Sequence, residues 1–117
     1  MTDDLKDATT TEAIAEDWAT VKLPPRLTGL PMTVWITEND GYPHDARVKV
    51  SQTHGSKIDP TNTATFAVRS TPHLIAGTLP ASDQQMVLEW IRLNEDLILA
   101  YWNSTISTAE LLQQLRK

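Results

Sequence analysis

Residues 32 to 37 read MTVWIT, and residues 46 to 51 read ARVKVS. In both stretches every second residue is apolar, which is typical of a β-strand with one buried face. Asn39-Asp40-Gly41 between them is a turn signal, so the two stretches predict a hairpin with a loop of several residues. An antiparallel sheet with one apolar face needs a second layer to cover it, and this requirement points to the fold class.

Two further stretches extend the predicted sheet. Residues 64 to 69 again alternate between apolar and polar or small side chains, and residues 73 to 79 form a less regular fourth strand after a turn-rich segment. Another turn-rich segment, residues 54 to 62, separates the hairpin from the third strand. Four antiparallel strands in meander order are therefore expected.

The segment ahead of the hairpin is expected to contain a short helix and a linker. Thr9 and Glu12 have the spacing of a capping box, and apolar residues follow at helical spacing, so a helix is predicted over roughly residues 10 to 20. Pro24 and Pro25 should end any helix there, because proline lacks the amide donor and restricts the residue before it. An irregular linker to residue 31 is predicted.

Two helices are predicted after the sheet. Ser82 and Gln85 have capping-box spacing, and the residues behind them carry a broad apolar stripe that should pack on the sheet. Asn103-Ser104 ends this long helix, and Ser107 caps a final one. The expected fold is therefore α+β, with a short N-terminal helix and a four-stranded antiparallel meander sheet packed by a long helix and a short C-terminal helix.

The long helix has two features with alternative interpretations. Asn94 lies near the centre of its apolar stripe, where a buried structural amide is favoured over a ligand contact. Leu88 and Leu99 fall on its otherwise charged face, and they either form an exposed patch for another chain or receive the final helix. The second interpretation is favoured, because the leucines of the final helix need a surface to bury against.

The charge of the chain is unevenly distributed. Its 117 residues suit one domain, with residues 1 to 8 as a loose acidic arm and residues 9 to 117 as a single α+β domain. The whole net charge of -5 lies within residues 1 to 17, because the other hundred residues carry nine basic and nine acidic side chains. A neutral body speaks against general nucleic-acid binding.

Composition also limits location and chemistry. The chain has no cysteine, so it holds neither a disulfide nor a thiolate zinc site and has no cysteine nucleophile. It has no run of 18 apolar residues, and Met1-Thr2-Asp3-Asp4 lacks the basic and apolar start of a signal peptide. We therefore expect a cytoplasmic protein without membrane association.

Several short motifs resemble those of one uncharacterised bacterial family. They are Asn39-Asp40, Pro43-His44, Gly77-Thr78-Leu79-Pro80, Val87-Leu88-Glu89-Trp90, Asn94 and Trp102. The set resembles the family catalogued as domain of unknown function 4160, over residues 30 to 103, although Ala46 stands where that family commonly has a second histidine. The resemblance implies an association with toxin-antitoxin-like gene pairs, and hence a regulatory protein partner.

The three histidines suggest a metal site, since neutral imidazole is a common zinc ligand. In the expected meander His44 and His73 lie at one end of the sheet and His54 lies at the other, so the three cannot meet. Joining His44 and His73 with Asp40 or Asp45 would need loop curvature, and local turn roles are favoured. Neither a metal nor a cofactor is predicted.

Ser70, His73 and Asp45 are the residue types of a hydrolytic triad, because a serine nucleophile needs an adjacent base and that base needs an orienting carboxylate. No G-x-S-x-G elbow, glycine-rich phosphate loop or H-E-x-x-H motif supports this interpretation. The sequence leaves enzymatic activity uncertain, disfavours it, and predicts no catalytic residue.

The polar face of the hairpin is a stronger candidate site. If the apolar hairpin residues face the helices, then Trp35, Arg47 and Lys49 share the opposite face, with Arg69 beside them. A tryptophan among basic side chains can accept a partner's apolar anchor or stack a nucleic-acid base. In the structural alternative, Trp35 lies under Arg47 as a cation-π pair or is covered by the N-terminal helix.

These observations favour a non-catalytic protein-binding or regulatory module of the bacterial cytoplasm, of an antitoxin-like, phage-defence-related or inhibitor type. Its predicted partner-binding residues are Trp35, Arg47, Lys49 and Arg69. Another protein is the expected partner, and a homo-oligomer stays open. Nucleic-acid binding by the same residues is the first alternative, and a small metal-dependent or hydrolytic enzyme is the second.

Overall fold

A computed structural model describes residues 20–39, 41, 44–55, 59, 61–69 and 71–117, which form an α+β fold. The sheet is a five-stranded antiparallel meander of β1 (Thr20–Leu23), β2 (Met32–Thr37), β3 (Arg47–His54), β4 (Thr63–Ala67) and β5 (His73–Ala76). The helices in the described part of the chain are α1 (Pro25–Thr28), α2 (Ala81–Leu93), α3 (Glu95–Trp102) and α4 (Thr108–Gln114).

The first strand corrects the prediction of a four-stranded sheet. The N-terminal helix predicted over roughly residues 10 to 20 lies outside the described residues except for Thr20, which begins β1 instead. Val21 pairs with Ile36 and Leu23 with Val34, and Leu23 is completely buried. The strand is only four residues long, so pairing with β2 stabilises it and its own sequence pattern is too short to predict it.

The linker predicted for residues 24 to 31 contains one helical turn, α1. Pro25 occupies its first position, where the missing N–H would have had no partner within the helix, so proline starts this turn instead of preventing it. Gly29 ends the turn with a left-handed φ of 82° and donates its N–H to the Pro25 carbonyl at 2.8 Å. The turn leads from β1 into β2.

The alternation predicted for β2, β3 and β4 is confirmed except at Thr33 and Ser51, which the pattern assigns to the polar face but which are buried. It separates the sheet into two faces. On one face the strand residues are apolar and completely buried, and they form one core with residues of α2, α3 and α4. The strand residues that share this buried face are Leu23, Met32, Val34, Ile36, Val48, Val50, Ala64 and Phe66. The helices therefore cover one side of the sheet.

The predicted N-cap of the long helix, Ser82, is wrong by two residues, because the observed N-cap is Pro80. The helix α2 begins at Ala81 after Pro80, with no side-chain cap, so the predicted Ser82–Gln85 capping box does not form. At α4 the Ser107–Glu110 capping box is confirmed, with the Glu110 N–H donating to Ser107 Oγ at 3.1 Å and the Ser107 N–H donating to Glu110 Oε1 at 2.8 Å.

The long helix is divided at Asn94, which is completely buried. Its Nδ2 donates to the carbonyls of Trp90, at 3.1 Å, and Arg116, at 3.0 Å, and its Oδ1 accepts the Arg116 N–H at 2.8 Å. This geometry confirms the prediction of a structural amide. Asn94 satisfies the backbone of the C-terminal tail where the tail crosses the break between α2 and α3.

The last helix closes the core. Leu111 is completely buried, while Leu88 and Leu99 of the preceding helices are partly buried against the core. Leu88 and Leu99 therefore do not form a fully exposed apolar patch, whereas their contact with the last helix stays a prediction, and Leu112 is 40% exposed. Within the described residues, no helix has both the length and the apolar character needed to cross a bilayer.

Candidate functional site

The face of the sheet opposite the core is the candidate site. We call it the open face and define it by eight residues, all of them exposed or only partly buried: Thr20, Lys22, Trp35, Thr37, Arg47, Lys49, Thr65 and Ala67. The strand register places these residues in two rows that run across the sheet. The meander therefore assembles a continuous polar surface around one tryptophan.

Trp35 lies between two lysines. Lys22 of β1 is its direct partner on one side and Lys49 of β3 is its partner on the other, and both lysines are exposed. Direct cross-strand neighbours have Cβ atoms about 5 Å apart, so the lysine methylene groups can flank the indole while the ammonium groups stay in water. The arrangement presents an aromatic surface with a positive charge on each side.

Arg47 adds a third positive charge. It lies two residues before Lys49 on β3, hence on the same face, and its partner on β4 is Ala67. None of Lys22, Arg47 and Lys49 forms an ion pair with any residue that the structure describes. Every charged residue of the open face is thus basic, and the remaining neighbours of Trp35 are small or hydroxyl side chains.

The structure tests only part of the alternative interpretation of Trp35, in which this side chain lies under Arg47 or is covered by an N-terminal helix. The register places Lys49 directly across from Trp35 and Arg47 diagonal to it, so the Trp35–Arg47 cation-π pair stays a prediction. Cover by an N-terminal helix concerns residues outside the described part of the chain. The sequence did not indicate Lys22 as a site residue, because β1 was expected to be helix and linker; the only signal is the short Thr20–Leu23 alternation.

Arg69 lies beside the open face but has its own counter-ion. Its Nε donates to Asp45 Oδ2 at 3.0 Å and its terminal nitrogen donates to Asp45 Oδ1 at 3.0 Å. This two-point hydrogen bond, helped by the Ala46 N–H, lowers the pKa of the Asp45 carboxyl from its ordinary value, and the carboxylate raises the pKa of Arg69. Of the four predicted binding residues, Arg69 is therefore the one whose positive charge is balanced by a described carboxylate.

The histidines have separate local contacts. His44 precedes β3 and His73 begins β5 at one end of the sheet, while His54 ends β3 at the other, as predicted. The His44 ring stacks on Trp102, with centroids 5.6 Å apart, and its Nδ1–H donates to the Asp45 carbonyl at 2.8 Å. The His73 Nδ1–H donates to the Thr71 carbonyl at 2.8 Å. Among the described residues, no group of three His, Asp or Glu side chains is placed to hold a metal ion.

The residues considered for a hydrolytic triad are not brought together by the described contacts. Ser70 lies outside the described residues, and the Asp45 carboxylate binds Arg69. A different pair was missed by the sequence: His54 Nε2 lies 2.8 Å from Asp83 Oδ2, with Asp83 7% exposed. No described hydroxyl hydrogen-bonds to the His54 ring, so the contact ties the end of β3 to the first turn of α2.

Comparison with protein-family models, with curated proteins and with solved structures gave no match. The resemblance of residues 30 to 103 to the bacterial family of unknown function stays a prediction.

Proposed function

We propose that this chain is a non-catalytic protein-binding or regulatory module of the bacterial cytoplasm and that the open face is its binding site. The observation that carries the proposal is the position of Trp35 between Lys22 and Lys49, on the side of the sheet that contributes nothing to the core. An aromatic side chain placed centrally and flanked by cationic groups is typical of residues that anchor a partner.

The charge of the face specifies the partner. Lys22, Arg47 and Lys49 are its only charged residues, so the proposed partner is a protein that presents carboxylates around an apolar or methylene-rich anchor for Trp35. The face is three strand spacings wide, or about 14 Å, which is small for a protein interface. We therefore expect a weak complex whose affinity falls as the salt concentration rises.

The experiment compares what four tagged variants recover from the native cell, with quantitative mass spectrometry as the readout. The wild type and Arg92→Glu should recover the same partner, because Arg92 is an exposed basic residue of α2 outside the open face. Lys49→Glu should lose it through charge repulsion, and Trp35→Ala should lose it through removal of the anchor. Photo-cross-linking from position 49 should then join the partner to β3.

Two results would overturn the proposal. One is recovery of the same partner by the wild type and Lys49→Glu in equal amounts, and the other is the absence of any reproducible partner in all four samples. Circular dichroism of each variant serves as the control, since all three substituted residues lie outside the main core and the fold should be retained.

Nucleic-acid binding is the second candidate, because three basic side chains around an aromatic ring also suit a single strand with stacked bases. Fluorescence anisotropy with a labelled oligothymidylate at low salt tests it. Binding that falls steeply with added salt and is lost in Trp35→Ala would favour this candidate over the protein partner. Absence of binding at low salt, also with residues 1 to 17 neutralised by Asp→Asn and Glu→Gln substitutions, excludes it.

A further inference from the structure

We infer that the acidic residues 1 to 17 of the same chain occupy the open face and compete with its partner. This inference rests on the proposed function for its consequence, namely regulation of the binding site, but the intramolecular contact can be tested without any partner. The inference is based on two facts: the acidic segment precedes the edge strand β1 in the sequence, and the three basic residues of the open face lie on β1 and β3.

Charge complementarity identifies the occupant. Residues 1 to 17 hold six acidic side chains and one lysine, which gives a net charge of -5, equal to that of the whole chain. The open face carries Lys22, Arg47 and Lys49, and none of them has an ion-pair partner among the described residues. The open face thus presents three basic side chains without an ion pair among the described residues, opposite in sign to the acidic segment.

The other basic residues of the described chain are less suitable targets. Arg69 is bound by Asp45, and Arg116 is bound by Asp96 at 2.8 Å. Arg92 lies on α2, on the opposite side of the sheet, only three residues from Glu89 and from Glu95. Arg26 and Lys117 are exposed and have no ion pair with a described residue either, but they lie outside the open face. The open face groups three such basic side chains and is therefore the favoured target of an acidic segment.

The connection to β1 makes the contact geometrically easy. Residue 17 precedes Thr20 by three residues, and both Thr20 and Lys22 belong to the open face at one edge of the sheet. Crossing the sheet takes about 19 Å, which about six extended residues can span at roughly 3.3 Å each. The segment is long enough to reach Lys49 and Arg47 from that edge.

Tethering also compensates for the small size of the face. Because the segment belongs to the same chain, its effective concentration at the open face is on the order of millimolar, so weak contacts suffice for occupancy. A free partner must displace the segment. The partner's apparent affinity is therefore its affinity for the unoccupied face multiplied by the fraction of molecules whose face is unoccupied. The acidic segment would thus raise the threshold for binding and favour partners with more carboxylates than its own six.

The test uses the full chain with one spin label. Because the protein has no cysteine, Thr2→Cys provides a single site for a nitroxide in the acidic segment. Paramagnetic broadening of backbone amide signals is then compared between Lys22, Trp35 and Lys49 on the open face and Glu89 and Arg92 on α2. At low salt the open-face signals should lose at least twice as much intensity as the helix signals.

Four controls assign the effect to charge. Replacing the six acidic residues of the segment by Asn and Gln keeps the tether, and Lys49→Glu keeps the fold; each should remove the difference between the faces. About 1 M salt, where the screening length is about 3 Å, should do the same. Arg92→Glu, a matched charge reversal on α2, should leave the difference unchanged.

Equal broadening of both faces, or a difference that survives neutralisation of the segment, overturns the inference while leaving the proposed function intact. If the intramolecular contact is found and no partner is recovered, the proposed function fails and the inference about the contact stands. If both hold, the neutralised variant should recover several times more partner than the wild type.

Discussion

The two faces of the sheet are built from alternate residues of the same strands, yet they have opposite chemistry. Phe66 and Thr65 are neighbours on β4, but Phe66 is completely buried under the helices and Thr65 is partly exposed beside Lys49. The covered face is apolar apart from His54 at the end of β3, whereas the open face combines hydroxyl, basic and aromatic side chains. Stability therefore depends on one face, and the other face is free to serve binding.

The largest expected effect separates the two faces within a single strand. Phe66→Ala should reduce the free energy of unfolding by about 3–5 kcal/mol, because it removes a buried ring and leaves a cavity. Thr65→Ala should cost less than about 1 kcal/mol, since only strand propensity and one exposed contact change. Urea unfolding followed by circular dichroism measures both; similar losses would contradict the division between the faces.

The next effect concerns the turn that brings α2 back over the covered face. Gly77 has a φ of 83°, and a Cβ there would lie 2.5 Å from the Thr63 carbonyl oxygen and 2.7 Å from Ala64 Cα. Gly77→Ala should therefore reduce the free energy of unfolding by about 3 kcal/mol, through strain and backbone clash.

Gly55→Ala is the matched control for this turn. Gly55 has a φ of 86° with no atom within 4 Å of its added Cβ, so only the conformational cost of about 1 kcal/mol applies. Thermal and urea unfolding of both variants provide the comparison. Equal losses would mean that the close approach at Thr63 relaxes without cost.

Substitution of Asn94 tests the hydrogen bonds that join the helices of the covered side to the C-terminal tail. Asn94→Ala should reduce the free energy of unfolding by about 1–3 kcal/mol, because the partly buried Arg116 amide and the Trp90 and Arg116 carbonyls lose their side-chain partner. Faster hydrogen exchange at the Arg116 amide should accompany the loss. Asn103→Ala, at an exposed position after α3, should change neither quantity noticeably.

The smallest expected effect concerns the ion pair of Arg69 with Asp45, at the border of the open face. The Arg69 guanidinium lowers the pKa of Asp45 in the folded protein, so the contribution of this pair is present above the pKa of the unfolded chain. This contribution to the free energy of unfolding is lost as the pH falls from about 4, the pKa of the carboxyl in the unfolded chain, through the lowered pKa of the folded protein.

Arg69→Gln should therefore raise the pKa of the Asp45 carboxyl toward its ordinary value, as followed by NMR titration of the side-chain carboxyl carbons. The control is Arg116→Gln, which should raise the pKa of Asp96 and leave that of Asp45 unchanged. If Asp45 did not respond to Arg69→Gln, Arg69 would have to be counted among the unbalanced charges near the open face.

The strands with regular alternation were predictable from sequence because the period-two pattern is a local signal. The β2 strand at Met32–Thr37 matches its prediction, and the grouping of Trp35 with Arg47 and Lys49 follows from the same pattern. The β1 strand was not predictable, because four residues next to two prolines form a strand only when β2 offers its edge. Lys22 was missed as a site residue for the same reason.

Other differences have equally specific causes. Asn94 divides the helix through contacts with a tail 22 residues later, which no local pattern contains. The Asp45–Arg69 ion pair spans 24 residues and depends on the register of β3 with β4. Sequence periodicity thus reports which face a residue occupies, while long-range register decides which charges are neutralised.

The most direct test of the binding role of the open face measures stability and partner recovery on the same variant, Lys22→Glu/Lys49→Glu. These two exposed positions flank Trp35, so the midpoint of urea unfolding should stay close to that of the wild type while recovery of the partner is abolished. Partner recovery at the wild-type level, in a variant whose folding is unchanged, would show that the open face is not the binding site.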